Sequence, residues 1–244
     1  MSRESIKIRA FGACMIGGYP HHYDNSFFHL AMQPLQQQTE HNLIPSISTL
    51  GGFPVTRVLK HSKTRCLDAD PDIVVVQFGS SDLIVRTKKD RQKSNREVST
   101  ASLRPIDWLR WYIQGIIGDA LQLEPVTAPE IYLETMGRIV HAISEHGTSV
   151  VVLSPFIMGG KCSDRIARNC VPRLEEIVAA IPRCHYLNAY AALDKHPRSQ
   201  MLLRDGTHLS LNGHDVVSGC LFETLVEVLE SIKRPAPPLI FEPT

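Results

Sequence analysis

The sequence predicts an α/β fold, a three-layer α/β/α sandwich around a mainly parallel five-stranded sheet. Three observations predict it. Ile73 to Phe78 and Ser149 to Ser154 are continuously apolar runs rich in β-branched residues, the pattern of strands covered on both faces. Strand patterns alternate with helix patterns five times. The 244 residues, 43% of them apolar, supply a core for one large domain or for one domain carrying an insertion.

Ile6 to Phe11 alternates and stops at Gly12, a short first strand followed by a loop. Phe27 to Gln37 has helical spacing, with Pro34 expected to interrupt or end it. Asn42 to Thr49 reads as a second strand closed by Gly51-Gly52, and Pro54 to His61 carries Val55, Val58 and Leu59 at helical spacing. The strand at Ile73 to Phe78 ends at Gly79. Residues 86–102 are polar and aperiodic, a long loop. Leu103 to Leu123, with Trp108 and Trp111, reads as one or two helices.

Pro129 suits a helix start, and Ile131 to His146 forms a helix closed by Gly147. After the strand at Ser149 come a helix from Arg165 to Ile181, kinked or restarted near Pro172, and a short strand from His185 to Leu187. Leu211 to Ile232 forms the last helix. Four prolines keep the tail from Arg234 to Thr244 out of helix. The division is one domain over residues 1–233, a helical insertion at about 86–125, and a Pro-rich tail over 234–244.

A formal charge of +1 provides no basic field, so nucleic acid and anionic membrane are not expected partners. The local excess at Arg86, Lys88, Lys89, Arg91, Lys93 and Arg96 reads as a solvated loop. The first residues lack the apolar core of a signal peptide, and no apolar stretch is long enough to span a bilayer, so a cytoplasmic setting is expected. Six scattered cysteines without a C-x-x-C pair read as free thiols in such a setting. Eleven histidines form no H-E-x-x-H pattern, and neither a metal nor another cofactor is expected.

In a parallel α/β sheet the ligand crevice lies beyond the carboxyl ends of the strands. The segments that matter are therefore Gly12-Ala13-Cys14, Gly51-Gly52, Gly79-Ser80-Ser81-Asp82, Ser154 to Cys162, and Asp205-Gly206-Thr207-His208. In the last of these a carboxylate stands three residues before an imidazole, where it can hold one ring nitrogen and leave the other free as a base.

These segments, in this order, resemble the SGNH/GDSL hydrolase superfamily, and the resemblance spans Phe11 to Gly213. It implies a flavodoxin-like α/β/α domain and hydrolysis of an ester or thioester through a covalent acyl-enzyme. The family's first block is Gly-Asp-Ser, so the matching Gly12-Ala13-Cys14 implies Cys14 as nucleophile in place of serine. Gly52, with Gly51 close behind, matches the oxyanion-hole glycine, and Ser81 stands where the oxyanion-binding asparagine is expected. The last block is intact in Asp205 and His208.

A thiol of ordinary pKa about 8.5 ionises more readily than a serine, and a helix N-terminus following Cys14 would favour the thiolate further. Ser81 reaches less far than an asparagine, so the hole is expected to rest on the N–H groups of Cys14 and Gly52, with Ser81 acting directly or through water. Asp82 reads as a cap or loop anchor, and His214, inside the last helix, as structural. Two decoys are set aside. Cys162 to Arg168 has C-x5-R spacing but no glycine cradle, and Gly159-Gly160-Lys161-Cys162 has neither the first glycine nor the Ser/Thr of a P-loop.

The expected partner is a small-molecule acyl substrate. Two alternatives stand beside hydrolysis: transfer of the acyl group from Cys14 to an amine, hydroxyl or thiol, and a non-catalytic binding protein on the same fold. Trp108 and Trp111 fit either a lid or acyl pocket, or a core or dimer-contact helix. The identity of the acyl group and the oligomeric state are left open.

Overall fold

A computed structural model describes residues 5–86, 113 and 123–233. Strands β1 (Ser5–Gly12), β2 (Asn42–Thr49) and β3 (Ile73–Gln77) form the first part of the sheet. A short pair, β4 (Val85–Arg86) and β5 (Glu124–Pro125), stands apart from it, and β6 (Ser149–Leu153) and β7 (Cys184–Leu187) complete it. The order is β2-β1-β3-β6-β7, with every neighbouring pair parallel. The sequence expectation of a five-stranded α/β sheet is met. Every residue of β3 and β6 is buried, including the polar Gln77 and Ser149 at their ends, as their apolar cores require.

Helices cover both faces. On one, α1 (Phe27–Gln38) packs on the long C-terminal helix; on the other, α2 (Val55–Val58) and α3 (Ser62–Cys66) contact α5 (Pro129–Ser144), which packs on α6 (Lys161–Ala179). Between these groups in sequence, Ser80–Leu83 forms a short α4. The chain ends in α7 (Ala189–Asp194), α8 (Arg198–Met201) and α9 (Leu211–Lys233), the helix that meets α1. Among the described residues no helix is long and apolar enough to cross a membrane.

One proline expectation needs correction, that Pro34 interrupts or ends its helix, and at Pro172 the helix does not restart. Pro34 lies inside α1 and Pro172 inside α6, and both helices continue past them. A proline deprives the carbonyl four residues earlier of its partner. Those carbonyls belong to half-buried Leu30 and exposed Arg168, where water can replace the missing N–H, so neither helix has to break. Helix α6 also starts earlier than expected, at Lys161, and the helical stretch after Gly52 runs through a 3-10 turn at Leu59–His61 to Cys66.

The chain leaves at Arg86 and returns at Glu124 side by side, because β4 and β5 pair in antiparallel fashion. The expected loop at 86–102 and the expected helices around Trp108 and Trp111 lie outside the described residues, Ile113 apart, as does the Pro-rich tail. In the sheet, Gly12 is in register with both Thr49 and Gln77. The segments that follow β1, β2 and β3 therefore leave the sheet at one edge.

Candidate active site

Gly12 ends β1 in a place that admits no side chain, since a Cβ there would stand 2.5 Å from the Gln77 carbonyl oxygen. The Ala13 amide donates to that same oxygen at 2.9 Å. The chain then turns through a single 3-10 turn, Cys14–Gly17, ended by Gly18 at φ 86°. Left-handed Gly18 stops the turn after four residues, and so short an element adds little macrodipole at Cys14. The Cys14 side chain is left half-buried, and the Tyr19 amide donates back to its carbonyl at 3.2 Å.

At the far end of the chain, Leu202 and Leu209 bridge in antiparallel fashion and the Leu203 amide donates to the His208 carbonyl, which closes a tight loop. Gly206 sits in it at φ 65°, where a Cβ is unfavourable. The two oxygens of Asp205 divide their work. Oδ1 accepts the amides of Thr207 and His208, each at 2.9 Å, and Oδ2 meets His208 Nδ1 at 2.6 Å. With Nδ1 facing a carboxylate, the proton belongs on Nδ1, and Nε2 faces Cys14 Sγ at 3.5 Å. Cys14, His208 and Asp205 thus form one relay.

The electrostatics follow from that contact. Burial of the His208 ring opposes its charging, but the Asp205 carboxylate and the Cys14 sulfur outweigh it and raise its pKa to about 10. Burial also works against an ionised Asp205, yet the bonds from His208 and the two amides hold its pKa below the ordinary carboxylate value. Tyr19 stands edge-to-face on the His208 ring, centroids 5.1 Å apart.

Gly52 and Ser81 also come together. A Cβ on Gly52 would meet Ser81 Oγ at 3.8 Å, ordinary van der Waals contact, so the hydroxyl stands beside Gly52. Gly51, the alternative, takes φ 52°, and no atom of the described residues lies within 4 Å of a Cβ built there. Behind them Asp82 is fully buried. Its Oδ1 accepts the Val55 amide at 2.9 Å and the Thr127 hydroxyl at 2.7 Å, while Oδ2 is buried without a partner among the described residues. Burial pushes its pKa up to about 7 in spite of those bonds. Asp82 is thus the loop anchor expected from sequence.

His214 is likewise structural. Its Nδ1 accepts the Phe27 amide at 3.2 Å, the first of α1, and burial followed by the nearby His21 and His208 lowers its pKa to about 4. Of the decoys, Cys162 is buried and Arg168 pairs with Asp194 at 3.2 Å, so the two frame no anion cradle. Among the described residues no group of three or more His, Cys, Asp or Glu is arranged to hold a metal.

No protein-family model matches the sequence, and no curated protein matches it. Solved structures do match the fold. A lipase/acylhydrolase from Enterococcus faecalis superposes with a TM-score of 0.61 at 17% identity, covering 95% of this chain and 99% of that one. A member of the lipolytic G-D-S-L family from Veillonella parvula gives 0.59 at 13% identity, with 91% and 98% covered. A variant of an acetyl-xylooligosaccharide esterase from Geobacillus gives 0.61 at 14%, with 93% and 96% covered. The chain shares the fold of these lipolytic proteins. At such identities the likeness speaks for the fold alone, and the chemistry has to be argued from the side chains.

Sequence reasoning missed three features of this fold. Tyr19 against His208 carried no signal, because the residues are far apart in the chain and Tyr19 lies in none of the motif blocks. The close approach of Gly159 to Gly206 had only the Gly159-Gly160 pair to mark it. The ion pairs between Asp164 and Arg198 join residues of ordinary surface type.

Proposed function

We propose that the chain hydrolyses a carboxylic ester or thioester through an acyl intermediate on Cys14. The observation that carries this reading is the relay Asp205–His208–Cys14, at 2.6 Å and 3.5 Å, on a fold shared with lipases and esterases. His208 Nε2 takes the thiol proton, and Sγ forms a bond to the acyl carbonyl carbon. The carbonyl oxygen becomes an oxyanion that the N–H groups of Cys14 and Gly52, with the Ser81 hydroxyl, are suited to receive. The bond to the leaving group then breaks, and the proton on Nε2 goes to the departing oxygen or sulfur. Water next attacks the thioester, gives a proton to Nε2, and the C–S bond breaks as that proton returns to Sγ.

The raised pKa of His208 fits the first half of this cycle, where the ring has to hold a proton for the leaving group. Because the sulfur contributes to that raised value, acylation removes part of the cause, and the ring becomes a base when water needs one. The sulfur also favours a second reading, acyl transfer, since a thioester yields to amines and thiols as well as to water.

Intact-protein mass spectrometry after exposure to activated acyl esters tests both readings. The wild type is expected to gain one acyl mass on Cys14, and Cys14→Ala to gain none. Free acid as product supports hydrolysis, and coupled product with an added amine or thiol supports transfer. A Cys14→Ala variant that turns over normally would remove Cys14 from the chemistry, and a wild type that never acylates would favour a non-catalytic binding protein.

A further inference from the structure

The loop that carries Asp205 and His208 is held at two places, and both holds converge on one guanidinium. Its stem rises from α8: the Ser210 amide donates to the Met201 carbonyl at 2.9 Å, and Leu202 bridges Leu209 just inside. Its tip rests on the segment after β6. The Gly159 amide donates to the Gly206 carbonyl at 2.7 Å, and a Cβ on Gly159 would fall 2.7 Å from the Gly206 Cα, so the two backbones touch. Gly206 separates Asp205 from Thr207, and any movement there displaces the carboxylate.

Arg198, the first residue of α8, joins these supports. Its Nη2 donates to Asp164 Oδ2 at 2.8 Å, its Nη1 lies 2.7 Å from Asp164 Oδ1, and it also donates to the Met158 carbonyl. Asp164, nearly buried in the first turn of α6, accepts the Met158 amide at 3.0 Å and the Tyr190 hydroxyl at 3.0 Å. Both backbone groups of Met158 are thus fixed by one ion pair, one residue before the glycine that touches the His208 loop. Asp194 and Arg168 complete the network: Arg198 donates to Asp194 Oδ1 at 3.1 Å, and Arg168 donates to Asp194 Oδ2 and to the Tyr190 hydroxyl. The planar fork of an arginine reaches all of these acceptors together, and a lysine ammonium does not.

We infer that the Arg198–Asp164 ion pair is a positioning device that sets the Asp205–His208 loop against Cys14 by clamping Met158–Gly159 to α8. The inference rests on the reading of His208 as the partner of Cys14. Neither Arg198 nor Asp164 belongs to the relay, and their effect passes through the Gly159–Gly206 contact.

The test compares wild type, Arg198→Met, Arg198→Lys and His208→Ala. Alkylation of Cys14 by iodoacetamide is followed by peptide mass spectrometry from pH 6 to 10, together with turnover of p-nitrophenyl acetate and the NMR titration of His208. Arg198→Met is expected to slow turnover about 10-fold with KM little changed, to alter the pH profile of Cys14 alkylation, and to move the His208 titration. Arg198→Lys, which keeps the charge without the fork, is expected to show the same changes more weakly, and it carries the test if Arg198→Met does not fold. A lower melting temperature with alkylation profile and His208 titration superposed on wild type would overturn the inference and leave a structural ion pair only. If His208→Ala alkylates at the wild-type rate and with the wild-type profile, the reading of the relay falls, and the inference with it.

Discussion

Asp82 and Val55, 27 residues apart, are joined by a bond from the Val55 amide to the Asp82 carboxylate at 2.9 Å. That bond ties the loop carrying Gly52 to the turn carrying Ser81, and the Thr127 hydroxyl on the same oxygen brings the chain returning from residue 124 onto the same point. One buried carboxyl therefore fixes the relative positions of two candidate oxyanion donors.

The position of Asp82 has a cost that depends on pH. Its folded pKa of about 7 lies above the ordinary 3.8, so the folded state binds the proton more tightly than the unfolded chain does. The stability it contributes is complete below pH 3.8 and is lost as pH rises through about 7. At about 1.4 kcal/mol per unit this is a loss of a few kcal/mol. In Asp82→Asn the decline between pH 4.5 and 6 is expected to vanish, leaving above pH 6.5 only the loss that the raised pKa of His208 produces, as read by urea unfolding at pH 4.5, 6 and 8.

His214 has the opposite sign. Its folded pKa of about 4 lies below the ordinary 6.5, so its contribution is complete above pH 6.5 and is lost as pH falls through about 4. Between these values the two groups offset each other. His214→Asn, which keeps an acceptor for the Phe27 amide, is expected to remove the acid limb and leave the Asp82 decline unopposed. The same urea series reads both variants, and an unchanged acid limb in His214→Asn would contradict the assignment.

Asp205→Asn is expected to lower the His208 pKa from about 10, because burial then acts with less opposition. Turnover should fall by about 10³–10⁴-fold, the order seen when a triad carboxylate is neutralised elsewhere. The NMR titration of His208 and kcat/KM on p-nitrophenyl acetate check the two halves separately.

The contact between Gly52 and Ser81 separates fold from chemistry. Among the described residues a methyl on Gly52 meets only Ser81 Oγ, at an ordinary 3.8 Å, so Gly52→Ala is expected to keep its melting temperature. The same methyl lies in van der Waals contact with the Ser81 hydroxyl and is expected to lower kcat by about 10²-fold. Ser81→Ala should lower kcat less, about 10-fold, if its hydroxyl acts through water. Equal kcat in all three proteins would place the oxyanion elsewhere.

Much of this arrangement was legible in one dimension because it depends on short-range patterns. β-branched runs marked β3 and β6, glycines marked the ends of strands, and Asp205 with His208 lies within a single turn of chain. Pro34 misled for a physical reason: on a solvent-facing turn the lost hydrogen bond passes to water, which a proline in the sequence cannot show. The insertion behind Trp108 and Trp111 remains a sequence reading only.

By itself the sequence determined the α/β class, the order of the strands along the chain, and the local pairing of a carboxylate with an imidazole. Only the tertiary structure decided what that imidazole faces. Cys14 meets His208 across 194 residues, Gly52 meets Ser81, and Arg198 braces Gly159 against Gly206. Propensity and periodicity act over a few residues, whereas these contacts depend on how a parallel sheet gathers its strand ends at one edge and on which side chains the packing then leaves within reach.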